Sequence, residues 1–193
     1  LSGTTANGEL DITNTKVVYD YTGSSPIANL RASLASGAAF TGNTPTWAGG
    51  GIVSITAKND AKKATGIGYL EASSLLGVAG GSYGNVTVDG SALLMKEVPF
   101  GDVNLDGVIS GDDYALLDKG FNQYNAGTIP ATTAVWQNGD FNYDGIVNTN
   151  DYMLADTSLG IQQGVLSPGF LAQREAEFGS AYVTQLISAV PEP

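Results

Sequence analysis

The sequence predicts an α+β fold, and three observations carry that prediction. Residues 1–100 alternate short apolar runs with turns rich in Gly, Ser and Thr. Two acidic stretches, "GDVNLDGVISGDD" (101–113) and "GDFNYDGIVNTND" (139–151), share one spacing, and each runs into a segment of helical character. After Ser167, apolar residues recur at helical intervals. The expected layout is a β-rich domain with one helix over 1–100, an all-α double-loop module over 101–160, and a C-terminal amphipathic helix with a short tail over 161–193. A chain of 193 residues is long enough to bury a substantial core.

Taken in order, "GELDIT" alternates, with Leu10 and Ile12 on one face. "KVVYDY" follows a tight polar turn, so the two segments read as a hairpin. "SSPIANLRASLASG" changes period: Ile27, Leu30 and Leu34 share a helical face, Ser25 suits a cap, Pro26 the first helical position, and Gly37 the stop. Strands are expected at "GIVSITA" (51–57) and "GIGYLEA" (66–72), and a further hairpin around Asp89-Gly90. Trp47 and the tyrosines of this half read as core more readily than as a carbohydrate groove. "SPGFLAQREAEFGSAYVTQLISAV" has a Ser cap, Pro at the first helical position, and Leu171, Phe178, Tyr182 and Leu186 near one face of a single helix.

Composition excludes several function classes. The formal net charge of -11, with only eight basic residues, leaves no cluster to bind phosphate, so nucleic acid is not an expected partner. With no Cys and no His there are no disulfides, no ordinary zinc site and no Ser–His–Asp triad. No run of eighteen apolar residues is present to span a membrane. Glu9, Asp11, Asp20, Glu71 and Glu97 are scattered, and scattered acids on strands are normally solvated. No catalytic residues are assigned, and the chain reads as non-enzymatic.

Thirteen of the nineteen acids are Asp, and seven of those lie in the two quoted stretches, where they fall into register. Offset by 38 residues, 101–118 and 139–156 agree at nine of eighteen positions, among them Gly101/Gly139, Tyr114/Tyr152, Leu116/Leu154 and Asp118/Asp156. Calcium takes six to eight hard oxygen ligands, so a single loop must wrap around it, and a twelve-residue loop does so with ligands at every second position. Positions 1, 3 and 5 are Asp102, Asn104 and Asp106 in the first loop, and Asp140, Asn142 and Asp144 in the second. Gly107 and Gly145 take the sharp turn at position 6, and Val108 and Ile146 offer carbonyls at position 7. Ser110 and Asn148, at position 9, act through water, and Asp113 and Asp151 close the shell at position 12. An EF-hand carries Glu at that last position; Asp is one methylene shorter and needs a closer chain. Ser110-x-x-Asp113 and Asn148-x-x-Asp151 also have the form of a capping box, so each loop should start a helix. Pro99 opposes a helix before the first loop, which makes the unit loop–helix rather than helix–loop–helix. Two Ca2+ ions are therefore expected.

At these residues the sequence resembles dockerin modules, the duplicated calcium-loop domains of secreted bacterial proteins. The resemblance covers about 101–160. It implies one ion per loop, a three-helix fold with pseudo-twofold symmetry, and attachment to a protein partner such as a cohesin. Loop positions 10 and 11 carry much of the recognition in that family, commonly as Ser-Thr; here they are Gly111-Asp112 and Thr149-Asn150, so calcium carries over and cohesin binding does not follow directly. The ending "AVPEP" looks like the proximal part of a PEP-CTERM sorting signal, which implies export and cell-surface display. Leu1 is read as a processing boundary, and "LDITNTKVVYDYTGSSPIANLRASLASG" (10–37) looks like the segment preceding such repeats in large secreted β-repeat proteins. The expected function is an extracellular calcium-binding structural protein at the cell surface, the C-terminal part of something larger or a fibre subunit. The alternative is an attachment module for a cohesin-like protein or a glycan.

Overall fold

The computed structural model describes residues 8–190 and has mixed helix and strand, in keeping with the α+β expectation. The Pro-Glu-Pro motif lies outside the described residues. Along the chain run β1 (Glu9–Asp11), β2 (Val17–Asp20), α1 (Ile27–Ala38), β3 (Gly51–Val53), α2 (Ile55–Asn59), β4 (Thr65–Glu71), α3 (Ala72–Leu76), β5 (Gly81–Tyr83), β6 (Val86–Val88) and β7 (Ala92–Pro99). Then follow α4 (Gly111–Asn125), a 3₁₀ turn (Trp136–Asn138), α5 (Thr149–Gln163), α6 (Pro168–Phe178) and α7 (Ser180–Ala189). The main sheet is antiparallel in the order β2-β7-β4, β1 pairs with β3 in parallel, and β5 pairs with β6.

Five local expectations are corrected. The hairpin between "GELDIT" and "KVVYDY" does not form, because β1 pairs with β3 and β2 with β7. Asp11 explains the divergence: its Oδ1 accepts from Thr13 N at 2.8 Å and from Ile55 N at 3.0 Å, tying β1 to the start of α2. "GIVSITA" is strand only to Val53. Ser54, fully buried, accepts from Ala57 N at 3.0 Å and caps α2. Asp89-Gly90 is not a hairpin tip; β6 turns back on β5 through Gly84, at φ +63°, and Asp89-Gly90 carries the chain into the other sheet. The single C-terminal helix is two, broken at Gly179 with φ +89° and ψ 168°.

Gly37 does not stop α1 either. The helix runs through it to Ala38, and a Cβ at position 37 would stand 1.9 Å from the Ile52 carbonyl oxygen. Its role is close approach of helix and strand. Trp47 and Tyr69 are core, at 1 % and 0 % exposure.

The same close approach joins the sheet to the repeats. On β4, a Cβ at Gly66 would meet the Phe100 ring at 2.4 Å, and one at Gly68 would meet Leu105 Cδ2 at 2.4 Å. The bare strip left by these glycines receives Phe100, Leu105, Trp136 and Tyr143, all buried, so one hydrophobic cluster runs from Leu34 and Trp47 through to Leu159 and Leu186. Polar ties cross the same seam. The Tyr143 hydroxyl accepts from Ile67 N at 2.9 Å and donates to Ile67 O at 3.2 Å, and Ser158 Oγ donates to Ala64 O at 2.9 Å.

Candidate metal centre

Each acidic loop is built by its own side chains folding back onto its backbone amides. In the first loop Asp102 Oδ2 accepts from Gly107 N at 2.8 Å and Oδ1 from Asp106 N at 3.1 Å. Asn104 Oδ1 accepts from Asp106 N at 2.8 Å, and Asp106 Oδ1 from Val108 N at 2.9 Å. The second loop repeats this: Asp140 Oδ2 accepts from Gly145 N at 2.9 Å, Asn142 Oδ1 from Asp144 N at 3.0 Å, and Asp144 Oδ1 from Ile146 N at 2.8 Å. Gly107 and Gly145 sit at φ +104° and +81°, the left-handed region that the turn demands.

Position 12 closes each loop. Asp113 Oδ1 accepts from Val103 N at 2.9 Å while its Oδ2 accepts from Ser110 N at 2.9 Å; Asp151 makes the same pair with Phe141 N and Asn148 N, both at 2.9 Å. One short carboxylate thus ties the loop's entry to the helix's first turn. Ser110 and Asn148 accept from Asp112 N and Asn150 N, giving α4 and α5 the reciprocal capping boxes that the spacing predicts. The first loop is entered from β7 and the second from the 3₁₀ turn, so neither has an incoming α-helix.

Burial puts these carboxylates under strain. Asp102, Asp113, Asp140 and Asp151 are all fully buried. Burial pushes Asp102 up to about 6 despite the Gly107 amide. Asp140 rises to about 8, through burial and then the charges of Asp151 and Asp144. Burial carries Asp151 up to about 7 against the pull of the Asn148 and Phe141 amides. A buried carboxylate requires a cation or a proton, and Asp102, Asp140 and Asp151 are shifted toward the proton.

Among the described residues, no group of three or more acidic side chains is gathered tightly enough to form a metal cage by itself. The donor set nevertheless fits calcium. Every candidate ligand offers a hard oxygen, and Asp140 Oδ1 is buried with no hydrogen-bond partner. The residues that would hold the ions are Asp102, Asn104, Asp106, Val108, Ser110 and Asp113, and Asp140, Asn142, Asp144, Ile146, Asn148 and Asp151. The bound ion would neutralise carboxylates now held up by burial.

Four further pairs of equivalent positions in the two repeats gain a role that spacing alone had not assigned. The Tyr114 hydroxyl donates to Asp156 Oδ1 at 2.6 Å, and that of Tyr152 donates to Asp118 Oδ1, so the two helices exchange equivalent bonds. Gly101 faces Ala155, and Gly139 faces Leu117, across the same pseudo-twofold. Position 4 of each loop, Leu105 and Tyr143, is left-handed at φ +61° and +64°, and inserts a buried side chain into the shared core. The repetition of Tyr and Asp in the aligned stretches was the available signal for the first two pairs; nothing in the spacing marked position 4. Gly111, Asp112, Thr149 and Asn150, the proposed recognition positions, are all exposed.

Comparison with known proteins agrees with this geometry. The family model for the dockerin type I domain matches residues 100–159. No curated protein and no solved structure matches the chain. Residues 100–159, with their paired acidic loops and capped helices, are a dockerin-like calcium-binding module.

Proposed function

We propose that the chain is a non-enzymatic extracellular assembly module, displayed at the cell surface and locked in shape by two calcium ions. The observation that carries this is the duplication itself: two loops that share the turn bond at position 6, the same buried closing Asp and the same capped helix. The exposed starts of α4 and α5, with Gly111, Asp112, Thr149 and Asn150, supply the surface for a cohesin-like protein partner. No described helix is long and apolar enough to cross a membrane. A fibre subunit is a second reading, favoured by β1, whose three residues are all exposed and which, among the described residues, pairs on one side only.

Calcium titration calorimetry followed by capture on an immobilised type I cohesin tests this. Two calcium equivalents, and retention abolished by chelator and by Asp112→Ala/Asn150→Ala together, are expected. Calcium binding without retention, with filaments appearing by electron microscopy, would move the assignment to the fibre.

A further inference from the structure

Beside the second loop lies an open cleft of about 500 Å3, lined by Phe40, Asn43, Asn142, Asp144, Asn150 and Gln185. Its walls come from three separate parts of the chain: the segment after α1, the second loop with the start of α5, and α7. Asn142 and Asp144 are already engaged, with Asn142 Nδ2 donating to Asp144 Oδ2 at 2.9 Å. The side-chain amides of Asn43, Asn150 and Gln185 have no partner among the described residues. Each presents a donor and an acceptor into one cleft, and the set carries no charge. Phe40 forms the apolar wall, half-buried and seated on Phe100 and Tyr143 at ring distances of 6.1 and 6.2 Å.

We propose that this cleft binds a neutral saccharide. Neutral polyols present adjacent hydroxyls that both donate and accept, which is the pattern three free amides answer. The apolar face of a sugar ring covers an aromatic wall, so Phe40 supplies the contact area that the amides lack. The volume lies in the range of about 300–1,000 Å3 of small-molecule sites. The net charge of -11, which two calcium ions would reduce but not cancel, disfavours acidic sugars, so a neutral chain is selected over a uronate or sulfated one. This goes beyond the assembly reading and shares with it the second loop, which forms one wall, and Asn150, which that reading also places on the partner surface.

Affinity electrophoresis of the full chain, in calcium, through gels containing hydroxyethylcellulose, mannan or xylan tests the assignment, with carboxymethylcellulose as the charged counterpart. Retardation by at least one neutral polysaccharide, but not by carboxymethylcellulose, is expected. Asn43→Ala/Gln185→Ala should weaken that retardation at least tenfold without moving the melting temperature, since neither amide bonds to the described chain. No retardation by any neutral polymer, or retardation unchanged in the double variant, overturns the proposal. A calcium titration run in parallel keeps the two readings apart: sugar binding without calcium uptake would sink the metal assignment alone, and calcium uptake without sugar binding would sink this one.

Discussion

Asp140 shows how a residue can be stable in place and still be held back from its charged form. It is fully buried, one carboxylate oxygen has no partner, and its pKa stands at about 8. With Asp151 at about 7 and Asp102 at about 6, the calcium-free native state binds protons that an unfolded Asp, near 3.9, has released. Stability from these groups is fully present below about pH 4 and lost as pH rises through 6 to 8. In chelator, the melting temperature should therefore fall between pH 5 and pH 8, while calcium affinity rises over the same interval as the ion displaces the protons. A melting temperature that climbs toward pH 8 in chelator would contradict this. Ligand register has its own test. Asp106→Ala should reduce stoichiometry from two ions to one, and Asp112→Ala, at position 11, should leave calcium binding near normal; calorimetric titration of both decides. The turn glycines and capping boxes of the two loops were legible in the sequence because their spacing is local chemistry. The left-handed Leu105 and Tyr143 were not, since bulky residues at positive φ are chosen by the core they enter.

Among elements, the α6–α7 hairpin depends most on one contact. Arg174, 3 % exposed, bonds Asp156 through Nε at 2.7 Å and Nη2 at 3.1 Å, and the Tyr182 hydroxyl donates to the same carboxylate at 2.8 Å. The guanidinium sits among the rings of Tyr114, Tyr152, Phe170 and Phe178, each within 5.7 Å. The guanidinium also pairs through Nη1 with the exposed Glu177 at 2.6 Å, whereas Asp156 without Arg174 would keep only the hydroxyls of Tyr114 and Tyr182, so removing the arginine leaves a buried carboxylate with no cation. Arg174→Met alone should destabilise by about 3–5 kcal/mol, and Arg174→Met with Asp156→Leu should recover part of that loss. Urea denaturation of the three proteins measures it; equal losses in the single and double variants would remove the ion pair from the account. The break at Gly179 that makes this hairpin could not be read as a break, because a helix tolerates an isolated Gly at a cost of about 1 kcal/mol. Strand identity was legible at β4, whereas strand partners were not: Val17 pairs with Met95, and no local pattern states that choice.

At the scale of the whole molecule, the glycine strip on β4 decides whether calcium is felt beyond its own loops. Phe100, Leu105, Trp136 and Tyr143 fill the space over Gly66 and Gly68, so the sheet's face and the module's core are the same surface. Unfolding the repeats would expose that face, and separate melting of the two parts would leave large buried aromatics in water. Metal bound only by the native state adds RT ln(1 + [L]/Kd), about 2.7 kcal/mol at a hundredfold excess over Kd, and here the whole chain should share it. The two tryptophans stand on opposite sides of the seam: Trp47 is buried before β3, and Trp136 donates from Nε1 to Asp102 O at 2.8 Å at the mouth of the first loop. Trp47→Phe leaves a reporter in the module, and Trp136→Phe leaves one in the β-rich part. Within each variant, fluorescence and far-ultraviolet dichroism should give one midpoint, and millimolar calcium should raise both signals together. If the Trp47 reporter melts at a temperature indifferent to calcium while the dichroism midpoint moves, the β-rich part folds on its own and the glycine strip is only a docking surface between two domains.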